Sequence, residues 1–346
     1  MTDIALAPQP ETLLTARGPL GEAVLRALTG TDGLELDGLA EEAVRACDDV
    51  ATDDDVQLTL FLLYASSYGS LDVLDPGKEW DPALIAVRST LEKAFERSLR
   101  DAVVVPTLPN PSVDAVARSL FDLVQADTGP NLSRYVAKKA TEVQVREFLM
   151  QRSIYTLREA DPHSWAIPRL AGVPKAALVE IQADEYGGGR PDRVHAEIFA
   201  KAVRGAGLDD TYGAYLDDAP AVTLASHNMM SMFGLNRRLL GAIVGHLTAF
   251  EMTSSIPNRL YADGLRRLGF GDDVTDYFDE HVEADAVHEQ IAARDLAGSL
   301  ARDRPELLAD IMFGAAACLA VDGRVAAHML AAWEQDRSSL RARVPS

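Results

Sequence analysis

The sequence predicts an all-α protein built as a helical bundle, and three observations carry that reading. Apolar residues recur at spacings of three and four along most of the chain, while alternating, strand-like runs are scarce. Breaks are confined to a few points, among them GGGRP at 187–191 and SIPN at 255–258. Most connections are short, which favours antiparallel neighbours in a bundle. With 47% hydrophobic and 25% charged residues, the composition is that of a globular chain, not a disordered one. Its 346 residues suffice for one large domain or two ordinary ones.

In chain order, residues 1 to about 18 read as an arm. Helical patterns follow near 20–29, 38–50, 54–67 and 82–100. VVVPTLP at 103–109 is the best strand candidate, but its prolines make it a better linker. It separates an N-terminal helical region, 1–103, from a main domain, 112–342. Beyond it, helical patterns cover 112–126, 131–160, 174–186, 192–206, 221–253, 257–268, 273–297, 304–320 and 323–341. Pro305 falls in the first turn of its helix, where a missing N–H is harmless, and Asp303 is the expected N-cap.

The charge pattern excludes some functions. A net charge of −20 repels phosphate backbones and anionic lipids, so no nucleic-acid or membrane partner is expected. Cys47 and Cys318 form no CxxC pair, which removes the zinc ribbon and the redox dithiol. The opening MTDIALAPQPETLLTARG lacks a basic region followed by an apolar core, and so does not read as a signal peptide. The longest apolar runs, LLGAIVGHLTAF and FGAAACLAV, are too short to span a bilayer. A soluble, cytoplasmic protein is expected.

Chemistry concentrates in HVEADAVH, residues 281–288, which holds two of the seven histidines. Taking His281 as zero, successive turns of about 100° put Asp285 at about 40° and His288 at about −20°, an arc of roughly 60°. Two imidazoles and a carboxylate on one stripe suit iron or manganese. The bland alternative is a solvated polar face.

A bundle would complete such a site from facing helices, so ionisable residues on apolar faces are the ones to find. Glu251 extends the stripe Leu240, Val244, Leu247 at i, i+4, i+7 and i+11, unless it escapes to solvent at the helix end. Glu185 shares a face with Leu178 and Ile181, whereas Glu180 and Asp184 lie on a more polar one. His195 leads Ile198, Phe199 and Ala202, a pattern that also suits a core histidine. Glu159, the weakest of these, is in line with Phe148, Arg152 and Tyr155. Of the remaining histidines, His246 reads as core or as a neighbour of the site and His163 as a loop or capping residue. His227 and His328 read as structural or exposed.

This set, Glu159, Glu185, His195, Glu251 and His281-xxx-Asp285-xx-His288, resembles that of the haem-oxygenase-like diiron oxidases and oxygenases, the iron-containing redox enzymes. The resemblance runs over roughly 112–342 and is strongest at QRSIYTLREADPHSWAIPRLAG, EIQADEYGGGRPDRVHAEIF, GAIVGHLTAFEMTSSIPNR and HVEADAVH. It implies a haem-oxygenase-like bundle of about seven core helices, with N-terminal accessory helices serving dimerisation. It also implies two Fe ions, cycling between Fe2+ and Fe3+, with O2 as co-substrate. Glu159 and His195 would bind one iron with one of the C-terminal histidines. The other iron would draw on His281, Asp285 and His288, and Glu251 would bridge the pair or bind one iron.

Glu185 corresponds to an extra carboxylate of the amine- and guanidine-oxygenating members. The expected function is therefore N-oxygenation of an amine-bearing small molecule, with an external electron donor allowed. Oxidative C–C cleavage or decarboxylation, a non-catalytic iron-binding protein and a metal-free scaffold are the alternatives. No C-terminal β-rich cupin domain is expected, because the helical pattern runs to the end.

Overall fold

All regular structure among the described residues is helical. The computed structural model of the chain describes residues 14–30 and 36–342; the side chains of 37 and 283–286 lie outside that description. Four helices come first: α1 (Pro19–Leu28), α2 (Leu36–Ala46), α3 (Asp54–Tyr68) and α4 (Pro82–Ala102). Asp53 and Asp81 start α3 and α4 by accepting from Val56 N and Ala83 N, which satisfies backbone donors that no helical carbonyl reaches. Residues 103–110 are irregular, as expected of the proline-bearing linker.

The rest comprises α5 (Val113–Gln125), α6 (Leu132–Lys138), α7 (Glu142–Thr156), a short α8 (Asp161–Ser164), α9 (Gly172–Glu185) and α10 (His195–Gly205). There follow α11 (Ala221–Leu235), α12 (Leu240–Met252), α13 (Ser255–Arg267), α14 (Asp272–Gln290), a π-helical stretch over Ile291–Gly298, α15 (Ser299–Asp303) and α16 (Leu308–Trp333).

Several boundaries differ from the sequence pattern, each for a local reason. The run 131–160 breaks before α7, where Thr141 and Gln144 form a reciprocal capping box: Gln144 N donates to Thr141 Oγ1 at 3.3 Å and Thr141 N to Gln144 Oε1 at 2.9 Å. The run 221–253 is two helices joined by a 3-10 turn, Arg237–Leu239. The break expected at SIPN falls at 253–254, directly ahead of it, and α13 takes in the motif itself: Pro257 lies in its first turn, where no intrahelical N–H is needed. The runs 304–320 and 323–341 merge into α16, which carries Gly323 with open space beside it and ends at Trp333, short of 341. Asp303 does not cap; it accepts from Arg302 Nε at 2.8 Å, and Pro305 opens a 3-10 turn ahead of α16.

Two buried apolar clusters hold these elements together. One joins Leu20, Phe61 and Phe95 of the N-terminal helices to Met229, Phe233 and Phe313 of the bundle. The other gathers Phe148, Phe199, Tyr277, Phe278 and Trp333. Burying each such ring contributes on the order of 2 kcal/mol. Glu147 ties the chain beyond α16 back to α7, accepting from Trp333 Nε1, Ser339 N and Ser339 Oγ, all at 2.8 Å.

α12 and α16 approach backbone to backbone. A Cβ at Gly245 would lie 1.8 Å from Ile311 O, and one at Gly314 2.0 Å from Ala242 O. Only glycine fits at either position, and this contact sets the depth at which α12 presents its C-terminal turn. Among the described residues, no single helix is long and apolar enough to cross a membrane.

Candidate metal centre

Five segments converge on a buried cluster of carboxylates and imidazoles. Glu185 is the last residue of α9, turned inward by its register with Leu178 and Ile181, both buried. The chain then reverses through Gly187, Gly188 and Gly189, with φ of 72°, 59° and 81°. Those left-handed values favour glycine, and a Cβ at Gly187 would also lie 2.6 Å from Arg193 C. The reversal returns His195, at the start of α10, to within 3.0 Å of Glu185, Nδ1 to Oε2. Glu159, in the turn between α7 and α8, places Oε1 3.9 Å from His195 Nδ1 and 3.8 Å from His281 Nε2.

α14 supplies the opposite wall. His281 Nδ1 donates to Tyr277 O at 2.7 Å, one turn back, which leaves Nε2 facing Glu159. Tyr277 also donates its hydroxyl to Glu159 Oε2 at 2.5 Å. His288 Nε2 lies 3.0 Å from Asp184 Oδ2, and its Nδ1 is 3.5 Å from Glu251 Oε2 on α12.

The ligand atoms fall into two groups, each within 4.8 Å: Glu159, Glu185, His195 and His281 in one, Glu185, Glu251 and His288 in the other. Six of the seven residues singled out in the sequence are thus brought together. The side chain of the seventh, Asp285, lies outside the described residues.

Two details depart from expectation. Glu185, not Glu251, is common to both groups. His281 and His288 belong to different groups, because seven residues along one stripe span about 10 Å of helix axis. Asp184 and Tyr277 were missed. Tyr277 had a readable signal, its i, i+4 relation to His281. Asp184 had none, since it stands on an exposed face and meets His288 only through the packing of α9 against the π-helical stretch that continues α14.

The electrostatics fit a bound cation. Three carboxylates, Glu159, Glu185 and Glu251, are buried together. Burial and the charge of Glu185 push Glu159 up to about 8, and burial also raises Glu251. Burial opposes protonation of His195 and His288, yet Glu185 in one case, and Glu251 with Asp184 in the other, raise them to about 9. Protons on these groups stand where a cation's charge would otherwise be needed. Burial and the charge of His195 lower His281 to about 4, keeping it neutral and free to ligate. Glu159 Oε1 and His288 Nδ1 are buried without a hydrogen-bond partner among the described residues, an expensive arrangement that a metal bond would relieve. A cleft of about 400 Å3 is lined by Glu159 and Glu185 together with Arg158, Tyr186 and Tyr212.

The remaining histidines stand apart from the two groups. His163 is neither loop nor cap: it is buried in α8, with Nε2 3.3 Å from Nδ1 of buried His246. His227 is buried against the Phe61 ring, and exposed His328 donates through Nε2 to Ser339 O at 2.9 Å.

Comparison with known proteins decides the family, since residues 146–323, just over half of the chain, match the iron-containing redox enzymes. The chain belongs to the iron-containing redox enzyme family. Among proteins with curated descriptions, the chain is similar to a nitrosourea synthase of Streptomyces achromogenes subsp. streptozoticus, at 29% identity over 228 residues. That match covers 62% of this chain and 48% of the relative, so the chain spans about half the length of that protein.

Among solved structures, this iron-containing redox enzyme is similar to a CADD-like protein of unknown function from Nostoc punctiforme. One crystal structure of that protein gives a TM-score of 0.52 at 16% identity, covering 65% of this chain and 98% of that one. A second gives 0.50 at 14%, covering 68% and 99%. These likenesses show that the chain shares the fold of that CADD-like protein.

Proposed function

We propose that this chain is a non-haem diiron, O2-dependent oxygenase that oxidises the nitrogen of an amine-bearing small molecule. The observation that carries this reading is the sharing of Glu185 between two ligand groups, the arrangement of a carboxylate between two metals. Glu159, His195 and His281 would hold one iron, Glu251 and His288 the other. When bound, the irons supply electrons and open positions for O2.

The chain's own residues do the rest. Tyr277 holds Glu159 through Oε2 and leaves Oε1 free, while its carbonyl fixes the tautomer of His281. Asp184 does the same for His288 from the other side. Burial excludes water from the oxidising centre, and the cleft at Glu159 and Glu185 offers an approach that a storage site would not need. The likeness to a nitrosourea synthase supports nitrogen as the atom oxidised. An external electron donor and a homodimer are part of the same proposal.

The test is anaerobic loading with Fe(II), quantification of iron, and exposure to O2 with absorbance followed. About two irons per chain and a transient absorbance are expected. Stoichiometry near one, or none, would sink the diiron reading. Mass spectrometry of amines incubated with the loaded protein then tests for added oxygen on nitrogen.

A further inference from the structure

A long connection, residues 206–220, joins α10 to α11 and supplies Asp210 and Tyr212 to the cleft at Glu159 and Glu185. Beyond one 3-10 turn, Leu216–Asp218, it has no regular structure of its own, so contacts from outside must set its position. That position matters to the cleft. The Arg158 guanidinium lies 5.2 Å from the centre of the Tyr212 ring and pairs with Asp161 at 3.2 Å, and all three residues line the same cleft.

The contacts come from far away in the sequence. The side chain of Arg17 is wholly enclosed. Its Nη2 donates to Leu216 O at 2.6 Å and to Ala219 O at 2.8 Å, and its Nη1 donates to Asp54 Oδ1 at 3.1 Å. Asp54, in the first turn of α3, accepts with its other oxygen from Arg341 Nε at 3.0 Å. Arg341 N in turn donates to Asp218 O at 2.8 Å, and Thr15 Oγ1 to Asp217 Oδ2 at 2.9 Å. Each residue from 216 to 219 is thus held from outside the connection. Nearer the cleft, the Phe61 ring of α3 stacks on Tyr212 at 6.3 Å. As a source of stability an enclosed arginine is weak, and Arg17 Nε is buried without a partner among the described residues. Its planar fork, however, fixes two carbonyls and a carboxylate in one geometry.

We infer that Arg17 and Arg341, joined through Asp54, form a clasp that positions the wall of the cleft. Arg17 is a positioning residue: it acts through the 216–219 turn on Tyr212, and through Tyr212 on Arg158. The N-terminal helices and the segment after α16 are then part of the architecture of the site. That the cleft admits a substrate rests on the oxygenase reading above; the clasp itself does not depend on iron.

The test uses the metal-free, full-length protein and two readouts. Amide hydrogen exchange followed by mass spectrometry reads the opening of residues 209–219. Fluorine NMR of protein labelled with 3-fluorotyrosine reads the cleft wall, the Tyr212 signal being assigned with Tyr212→Phe. In Arg17→Gln, exchange over 209–219 should rise at least about tenfold, the loss of a charge-assisted hydrogen bond, and the Tyr212 signal should shift or broaden. Arg17→Lys, which keeps the charge but not the fork, should restore part of both. Arg324→Gln is the control. It breaks a different ion pair between the bundle and the N-terminal region, that of Arg324 with Asp49, and should leave both readouts unchanged.

The inference is overturned if exchange over 209–219 does not rise in Arg17→Gln, if it rises no more there than across the rest of the chain, or if the Tyr212 signal stays where it was. It is also overturned if Arg324→Gln moves both readouts as far. Should Arg17→Gln fail to fold, Arg341→Gln, which removes only one limb of the clasp, takes its place with the same expected changes. Iron uptake separates the two readings. A loosened Tyr212 wall in a protein that takes up no iron would leave the clasp standing and remove the diiron reading. Two irons bound, with 209–219 unmoved by the variants, would do the reverse.

Discussion

Asp184 Oδ2 and His288 Nε2 stand 3.0 Å apart, an exposed carboxylate holding a buried imidazole from outside the cluster. That bond leaves His288 Nδ1 as the atom facing Glu251 and Glu185. Asp184→Ala should therefore lower affinity for the second Fe(II) by about 10–100-fold while leaving the first unchanged. Asp184→Asn, which keeps an acceptor, should lose less. Anaerobic Fe(II) titration reads both steps, and unchanged affinity in Asp184→Ala would refute the role.

Tyr277→Phe removes the hydroxyl that donates to Glu159 Oε2. A buried carboxylate oxygen would then lack a partner, a loss of about 1–3 kcal/mol in the metal-free protein. Urea unfolding of the two proteins should show a lower midpoint with an unchanged slope; equal midpoints would contradict the geometry.

Gly245→Ala inserts a methyl group 1.8 Å from Ile311 O, backbone against which nothing can repack. Loss of about 3 kcal/mol or more is expected, or no folded protein at all. Gly323→Ala, on α16 with open space around it, is the control and should be neutral or slightly stabilising, since alanine favours a helix by about 1 kcal/mol. Thermal melts of the pair decide the matter.

His227 gives a pH dependence apart from the cluster. Burial lowers it to about 4, and Arg158 acts in the same direction. The folded state thus resists a proton that the unfolded chain accepts near the ordinary histidine value. Its contribution is complete well above that value and is lost as pH falls toward 4. Between pH 7 and pH 5 it should remove about 2 kcal/mol of stability. His227→Gln should flatten this part of the profile, and parallel urea curves at the two pH values would count against it.

The sequence by itself determined the helical class, because periods of three and four survive in single segments whatever surrounds them. It also singled out the residues now found together: Glu185 and Glu251 through carboxylates in apolar stripes, His195 through its place at the head of the apolar face Ile198, Phe199, Ala202. Where the helices end was less legible. The Thr141–Gln144 capping box was there to be read, but the fusion across Gly323 and the break at 237–239 depend on what packs alongside.

Only the tertiary structure decided the grouping. It divided His281 from His288, made Glu185 common to both groups, and drew Asp184 to the cluster. The reason is physical. A helical stripe specifies direction around an axis, whereas a ligand group depends on position along it, and that position is set by how neighbouring helices pack, as Gly245 and Gly314 set it for α12.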